Sequence, residues 1–200
     1  MNFSSWPPLL VIDVEGNGTH PPDLVEVAAL PIRDGQPDTS TAGWWLTRPQ
    51  RPVTPFAARV HGWSNERLLN EPGWEEISAS VHAFLGTAWI CAHHAHVDYR
   101  VLAAHLPQWR PAGVLDTLRL AKATYPGLAK YSLDSLIEHV QPDLSAAPGN
   151  RHRATFDAYA AAQLLLAMAV HYDTWDQLVA VAVPPGLPGA PEPEQDPMLW

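Results

Sequence analysis

Residues 9–18 read LLVIDVEGNG, an aliphatic run that two carboxylates interrupt and a glycine-flanked turn ends. Short runs of this kind are typical of a central strand that is buried on both faces. Asp13 and Glu15 lie two residues apart, so their side chains project from the same face of the strand. Because buried charges are unfavourable without cations or partners, the pair indicates metal coordination rather than two surface acids on an edge strand. Carboxylate oxygens suit Mg²⁺ or Mn²⁺, and two such ions can clamp the attacking and leaving oxygens of a phosphodiester displacement.

The rest of the chain predicts two more strands next to this one and then helices that alternate with short strands. The further strands are expected at 24–32, 44–47, 89–92 and 114–115, and the helices at 72–85, 97–106, 132–140 and 153–171. Asp34-Gly35 indicates a hairpin turn, and the proline-rich stretch 49–55 should break the sheet. This order predicts an α/β fold with a mixed five-stranded sheet flanked by helices.

The length of 200 residues, 46% of them hydrophobic, is enough for one domain with a proper core and too short for two ordinary ones. We place this domain at residues 1–183. Residues 184–200 hold six prolines, three acidic residues and no basic residue. Such a composition buries little apolar surface, so we expect a flexible tail there.

Charge and cysteine content exclude some classes of protein. The formal net charge of −9 argues against a protein that coats nucleic acid through a broad basic surface, although four clustered carboxylates with bound cations are compatible with a nuclease. The single cysteine, Cys91, lies in an apolar run and is expected to be a buried hydrophobic residue. No apolar run is long enough to span a bilayer and no signal peptide precedes the domain, so we expect a cytoplasmic protein with no membrane partner.

Two later segments add carboxylates at a recurring spacing. Residues 93–98 read HHAHVD and residues 152–158 read HRATFDA, with a histidine five residues before the last aspartate. Together with Asp13-Val14-Glu15, these segments are similar in order and spacing to the three motifs of the DEDDh (DnaQ-like) exonucleases. Shorter similarities extend the resemblance over residues 8–182. Within that group, the chain most resembles exonuclease X and the proofreading subunit of bacterial DNA polymerase III.

The resemblance implies a ribonuclease-H-like fold and a metal-dependent 3′-to-5′ exonuclease. Such an enzyme hydrolyses phosphodiester bonds from a free 3′ end, here of single-stranded DNA, and releases nucleoside 5′-monophosphates. By the resemblance, two Mg²⁺ ions, which Mn²⁺ can replace, are held by Asp13, Glu15, Asp98 and Asp157. Asp13 would bridge the ions, and His152 would take a proton from the attacking water, a task that suits imidazole. An exoribonuclease on short RNA or tRNA ends, and a non-catalytic nucleic-acid-binding or polymerase-associated module, stay open as alternatives.

Substrate contacts are expected at six positions: Gly16, Asn17, Gly18, His61, Trp63 and His94. Trp63 is a candidate platform for stacking the 3′-terminal base, with a core tryptophan as the alternative. The turn at 16–18 stands where relatives often carry two threonines, and His94 stands where they usually carry asparagine. A zinc site at His93, His94 and His96 is less favoured, because no cysteine or glutamate ligand supports it. Candidate phosphate contacts, or else solvated surface groups, are Arg100, Arg151 and Arg153.

Partners are predicted only in part. The expected ligand is the 3′ end of single-stranded DNA or RNA. The final segment, Gln195 to Trp200, faintly resembles a peptide that binds the sliding clamp. A homodimer is a further possibility because several relatives dimerise, and no residue pattern in the sequence tests it. The sequence leaves open the choice between DNA and RNA, strand preference, processivity and pathway, and the effect of the altered turn at 16–18 on substrate choice.

Overall fold

The computed structural model of the protein describes residues 1–190, which form a mixed sheet with helices on both faces. The strands are β1 (Leu9–Gly16), β2 (Leu24–Arg33), β3 (Gln36–Pro37), β4 (Gly43–Leu46), β5 (Trp89–Ala92) and β6 (Val114–Asp116). The helices are α1 (Pro55–His61), α2 (Trp74–Leu85), α3 (His96–His105), α4 (Thr117–Thr124), α5 (Leu133–Val140), α6 (Ala154–Ala169) and α7 (Trp175–Ala182), with short 3₁₀ turns at Phe3–Ser5 and Thr39–Thr41.

Strand β1 lies in the middle of the sheet, whose order is β3-β2-β1-β5-β6, with β4 also paired to β2. The pairing of β1 with β2 is antiparallel and places Glu15 opposite Glu26. The pairing of β1 with β5 is parallel and ends at Val11. The part of β1 that carries Asp13 and Glu15 therefore extends beyond its β5 neighbour.

The two faces of β1 are buried in two separate cores. Val11 packs on the face covered by α6, in a cluster that includes Leu165. Ile12 packs on the opposite face with Leu85 of α2 and Leu102 of α3. Since side chains alternate along a strand, Asp13 and Glu15 continue the row of Val11 and face the side of α6.

Small side chains let the first turn of α6 approach the sheet closely. Ala154 and Ala158 of α6 are buried against Ala28 of β2, and Ala28 lies opposite Asp13 in the β1–β2 pairing. Alanine side chains leave little between a helix backbone and the sheet. The start of α6 is consequently held next to the carboxylates of β1.

Most predicted elements are confirmed, and the differences have local causes. The Asp34-Gly35 hairpin returns as the two-residue strand β3, so the sheet has six strands instead of five. Helix α1 was missed because it starts inside the proline-rich stretch. Pro55 occupies its first turn, where proline is tolerated, and the Thr54 hydroxyl caps it. Helices α4 and α7 were also not predicted. Cys91 is fully buried, as expected.

The predicted flexible tail needs correction at its start. Residues 184–190 lie against the domain: the backbone N–H of Val114 donates to the carbonyl of Pro188 at 2.9 Å, and Ala190 packs on the core. The rest of the predicted tail, with the candidate clamp-binding segment, lies outside the described residues. No helix within residues 1–190 has the length and apolarity needed to cross a bilayer.

Candidate active site

Three carboxylates from two distant parts of the chain meet at the α6-facing end of β1. Oxygen atoms of Asp13 and Glu15 from β1 and of Asp157 from the first turn of α6 all lie within 4.8 Å of one another. Strand alternation places the first two on one face, and the close approach of α6 brings the third. Hard oxygen donors at this spacing fit a divalent cation such as Mg²⁺ or Mn²⁺.

Asp98 borders this trio without belonging to it. It is buried in the first turn of α3, and its Oδ1 accepts the backbone N–H of Val14 at 3.1 Å. That N–H points toward the β5 side of β1, where the β1–β5 pairing has already ended. The bond fixes the Asp98 carboxylate against the backbone between Asp13 and Glu15.

Burial shifts the pKa values of all four acids upward, and repulsion from the other acids adds to the shifts of Asp13 and Glu15. Burial, followed by the charge of Asp98, raises the pKa of Asp13 well above its ordinary range. Burial, followed by the charge of Asp157, raises the pKa of Glu15 to about 8. Burial raises the pKa of Asp98 to about 7 and also raises that of Asp157. Negative charge is therefore in excess here, and bound cations would offset it.

His152 lies in the turn directly before α6 and is exposed to solvent. Its backbone φ is +61°, in the left-handed region that non-glycine residues rarely adopt. Such a conformation persists only where the surrounding structure holds it. The His152 side chain therefore does not follow the arrangement of side chains along α6. Burial raises the pKa of Asp157, and His152, in part through its backbone N–H, is the main group that opposes this shift, so the residue borders the carboxylate trio.

The fold and site have counterparts among known proteins. A family model described as "Exonuclease" matches residues 10–165. The chain is 31% identical over 159 residues to Exodeoxyribonuclease 10 of Escherichia coli K12, covering 79% of this chain and 67% of that protein. It is 30% identical to the 3′-5′ exonuclease DinG of Bacillus subtilis, covering 74% of this chain but only 16% of DinG.

This chain belongs to the exonuclease family. A solved structure of exonuclease X in complex with 5′ overhanging duplex DNA superimposes with a TM-score of 0.73 at 30% identity, covering 85% of this chain and 96% of that one. A structure of exonuclease I shares the fold at 18% identity with a TM-score of 0.69. The predicted ribonuclease-H-like α/β fold and the predicted enzyme class are confirmed.

Trp63 of this exonuclease-family chain lies in the core, which is the alternative to the stacking platform. Its side chain is only 7% exposed, and its indole N–H donates to the Oε2 atom of Glu26 at 2.9 Å. The guanidinium of Arg153 lies 3.6 Å from the ring centroid and that of Arg67 lies 4.9 Å away. With so little of the ring exposed, a nucleobase has no room to stack on it, so we withdraw the stacking role.

The turn at 16–18 is held by contacts within the protein. Asn17 is fully buried, and its amide bonds to the side chain of Asp23, to the carbonyl of Arg51 and to Thr19. The predicted substrate contact of the Asn17 side chain is therefore corrected to a structural role. Gly18 has a φ of +81°, and a Cβ atom there would lie 2.3 Å from the Thr54 hydroxyl, so only glycine fits.

The predicted histidines have different environments. His61 is buried at the end of α1, its Nδ1 accepts the backbone N–H of Trp63 at 3.1 Å, and burial lowers its pKa. His94 is exposed, with a φ of +67°, and its backbone N–H donates to Asp116 at 2.9 Å. His93 pairs with the Thr117 hydroxyl. Among residues 1–190, the acid trio is the one group of three or more candidate ligands that converge, and His93, His94 and His96 do not form such a group.

The arginines proposed as phosphate contacts have mostly internal partners. Arg151 forms a salt bridge with Asp134, and Arg153 forms one with Glu26. Glu26 itself was not singled out as a site residue in the sequence. Its signal was a carboxylate in the middle of an otherwise apolar strand, and the structure places it directly beside Glu15.

Proposed function

We propose that this protein is a metal-dependent 3′-to-5′ exonuclease that removes nucleoside 5′-monophosphates from the free 3′ end of single-stranded DNA. The observation that carries the proposal is the convergence of Asp13, Glu15 and Asp157 within 4.8 Å, next to an exposed histidine. Four neighbouring acids with raised pKa values are costly for a fold that does not bind cations there. The family membership supplies the reaction class.

The residues of the chain have distinct tasks in this proposal. Asp13, Glu15, Asp98 and Asp157 would hold two Mg²⁺ or Mn²⁺ ions, with Asp13 shared between them. Bound ions of this kind supply Lewis acidity and lower the pKa of an attacking water. His152 would accept the proton of that water, because it is exposed, close to Asp157 and free of the helix.

DNA is proposed as the substrate because the similar structure of exonuclease X is a complex with 5′ overhanging duplex DNA, and because Exodeoxyribonuclease 10 is named for DNA. The cytoplasmic location stays a prediction from the sequence, and it is compatible with a DNA substrate. Binding to a sliding clamp and dimerisation stay predictions from the sequence.

The test is the degradation of 3′-labelled and 5′-labelled oligonucleotides, as DNA and as RNA of equal sequence, in Mg²⁺, Mn²⁺ and EDTA. We expect release of single 5′-monophosphates from the 3′ end of DNA, and none in EDTA. Asp157→Asn should abolish the activity, whereas Glu138→Gln, a change at an exposed acid of α5, should not. Faster degradation of RNA would favour the exoribonuclease alternative, and no turnover with any substrate would contradict the proposal.

A further inference from the structure

Glu26 is a fifth buried acid beside the carboxylate trio, yet its contacts differ from those of the other four. Its side chain is fully buried, and its two oxygens accept five N–H groups at 2.8 to 3.2 Å. The donors are the indoles of Trp44 and Trp63, the Nε and Nη2 atoms of Arg153, and the backbone of Ala154. A carboxylate offers about four acceptor positions, so none is left for a cation.

The donors also give Glu26 a pKa shift opposite in direction to the shifts of the four neighbouring acids. Burial alone would raise its pKa, but the hydrogen bonds from Arg153, Trp63 and Trp44 outweigh burial and lower it. Each of these bonds is charge-assisted, which makes it stronger than a neutral hydrogen bond. These donors favour the anionic form of Glu26, and Arg153 is its ion-pair partner.

The five bonds tie separate segments to one point. Trp44 belongs to β4, Trp63 follows α1, and Arg153 and Ala154 form the start of α6. Helix α6 has no side-chain cap at its own N-cap residue, Arg153. The carboxylate from β2 supplies that cap, and a negative charge at the N-terminus of a helix is favourable.

We infer that Glu26 is a positioning residue that sets the start of α6, and with it His152 and Asp157, relative to Asp13 and Glu15. His152 directly precedes Arg153, and Asp157 lies one turn after Ala154, so both are attached to the bonded pair. Glu15 and Glu26 are paired across β1 and β2. The residue that holds the start of α6 therefore lies directly opposite a residue of the carboxylate site. The inference rests on the proposed function.

The test compares two carboxylates that each cap a helix. Glu76 caps α2 by accepting the backbone N–H of Gly73 at 2.7 Å and is not among the site residues. Glu26→Gln keeps the size of the side chain but turns one acceptor into a donor that faces other donors. We expect kcat to fall by about 100-fold, as for other small displacements of catalytic groups, with KM for an oligonucleotide changed by less than about threefold. Glu76→Gln should lower the melting temperature and leave kcat unchanged.

A second variant tests the same inference in case Glu26→Gln does not fold. Arg153→Gln removes two of the five donors and should also lower kcat, and the double variant should be no worse than the more severe single variant, because both act through one contact. Wild-type kcat in either folded variant, or a loss of melting temperature alone, would overturn the inference. An inactive wild-type protein would instead refute the proposed function.

A second, independent observation concerns an open cleft lined by both lysines of the chain. Lys122 and Lys130 lie in this cleft with His93, His94 and Tyr131. Within residues 1–190, neither lysine forms a salt bridge. In a chain with a net charge of −9, this places two unpaired cations on one surface.

The cleft includes His94, which lies in the loop between β5 and α3, four residues before Asp98. We propose that the cleft binds the phosphodiester backbone of the substrate strand, away from the scissile bond. This assignment also rests on the proposed function, and it gives the acidic site a neighbouring surface that attracts the polyanion.

Salt dependence tests this assignment. Lys122→Gln with Lys130→Gln should weaken binding of a single-stranded oligonucleotide and reduce the slope of log K against log[salt] by about 1.4, since each lost contact to a single strand contributes ~0.7. Arg33→Gln with Arg110→Gln removes the same charge from other exposed positions and serves as the control. A slope like that of the wild type, or an equal change in the control, would overturn the assignment.

Discussion

A Glu15→Gln substitution should stabilise the metal-free protein at alkaline pH while abolishing its activity. Burial, together with the charges of Asp157, Glu26 and Asp98, raises the pKa of Glu15 from its ordinary value of 4.5 to about 8. Between these two values, the folded chain keeps a proton that the unfolded chain has lost. The free energy of unfolding therefore falls as the pH rises through this range.

The size of the effect follows from the same two values. Their difference corresponds to about 5 kcal/mol, at about 1.36 kcal/mol for each pKa unit. Glu15 keeps partial contact with solvent, which reduces this figure. Glutamine cannot ionise, so we expect it to raise the free energy of unfolding by about 2 to 5 kcal/mol at a pH of ~8.5 and to have little effect at a pH of ~4.

Urea unfolding in EDTA, at both pH values, measures this difference, and Glu138→Gln provides the exposed control. Adding Mg²⁺ at alkaline pH should then favour the wild type, because an ion that binds only the folded state stabilises it by about 2.7 kcal/mol when its concentration is ~100 times Kd. A variant that is less stable than the wild type in EDTA at the higher pH, or equally changed at both, would refute the repulsion that we infer among these acids.

Three further substitutions separate catalytic from structural roles. His152→Asn introduces a residue that tolerates the left-handed backbone, and it should lower kcat by about 100- to 10,000-fold with little change in the melting temperature. Unchanged single-turnover rates would show that His152 does not transfer the proton. Trp63→Ala should lower the free energy of unfolding in urea by about 3 to 5 kcal/mol, because the ring is buried, and should leave the oligonucleotide affinity of the folded protein unaltered. Weaker binding without a loss of stability would support the stacking role instead. Gly18→Ala should destabilise the protein by about 1 to 3 kcal/mol, since its Cβ would meet Thr54 at a positive φ, and thermal unfolding showing no loss would contradict that contact.

Patterns that depend on neighbouring residues could be predicted from the sequence. Strand alternation alone places Asp13 and Glu15 on one face, and the aliphatic run before them identifies the central strand. The long helix that carries Asp157 is equally clear, because its alanine and leucine residues are strong helix formers. The shared location of these acids could be expected only through the resemblance to a family.

Features that depend on distant partners could not be predicted. Trp63 looks like an exposed aromatic residue until Glu26 and Arg153, far along the chain, are seen to hold it. Asn17 looks like a loop residue with a free amide until Asp23 and Arg51 occupy that amide. Helix α1 had local signals in Thr54 and Pro55, but the surrounding prolines obscured them.

The most direct test of the shared metal site is an anomalous difference map from crystals soaked with Mn²⁺ and a nucleoside 5′-monophosphate. We expect two peaks among the carboxylates of Asp13, Glu15, Asp98 and Asp157, with the phosphate next to them and His152 facing it. An active enzyme whose crystals show no peak among these carboxylates, or show Mn²⁺ bound elsewhere, would contradict the account.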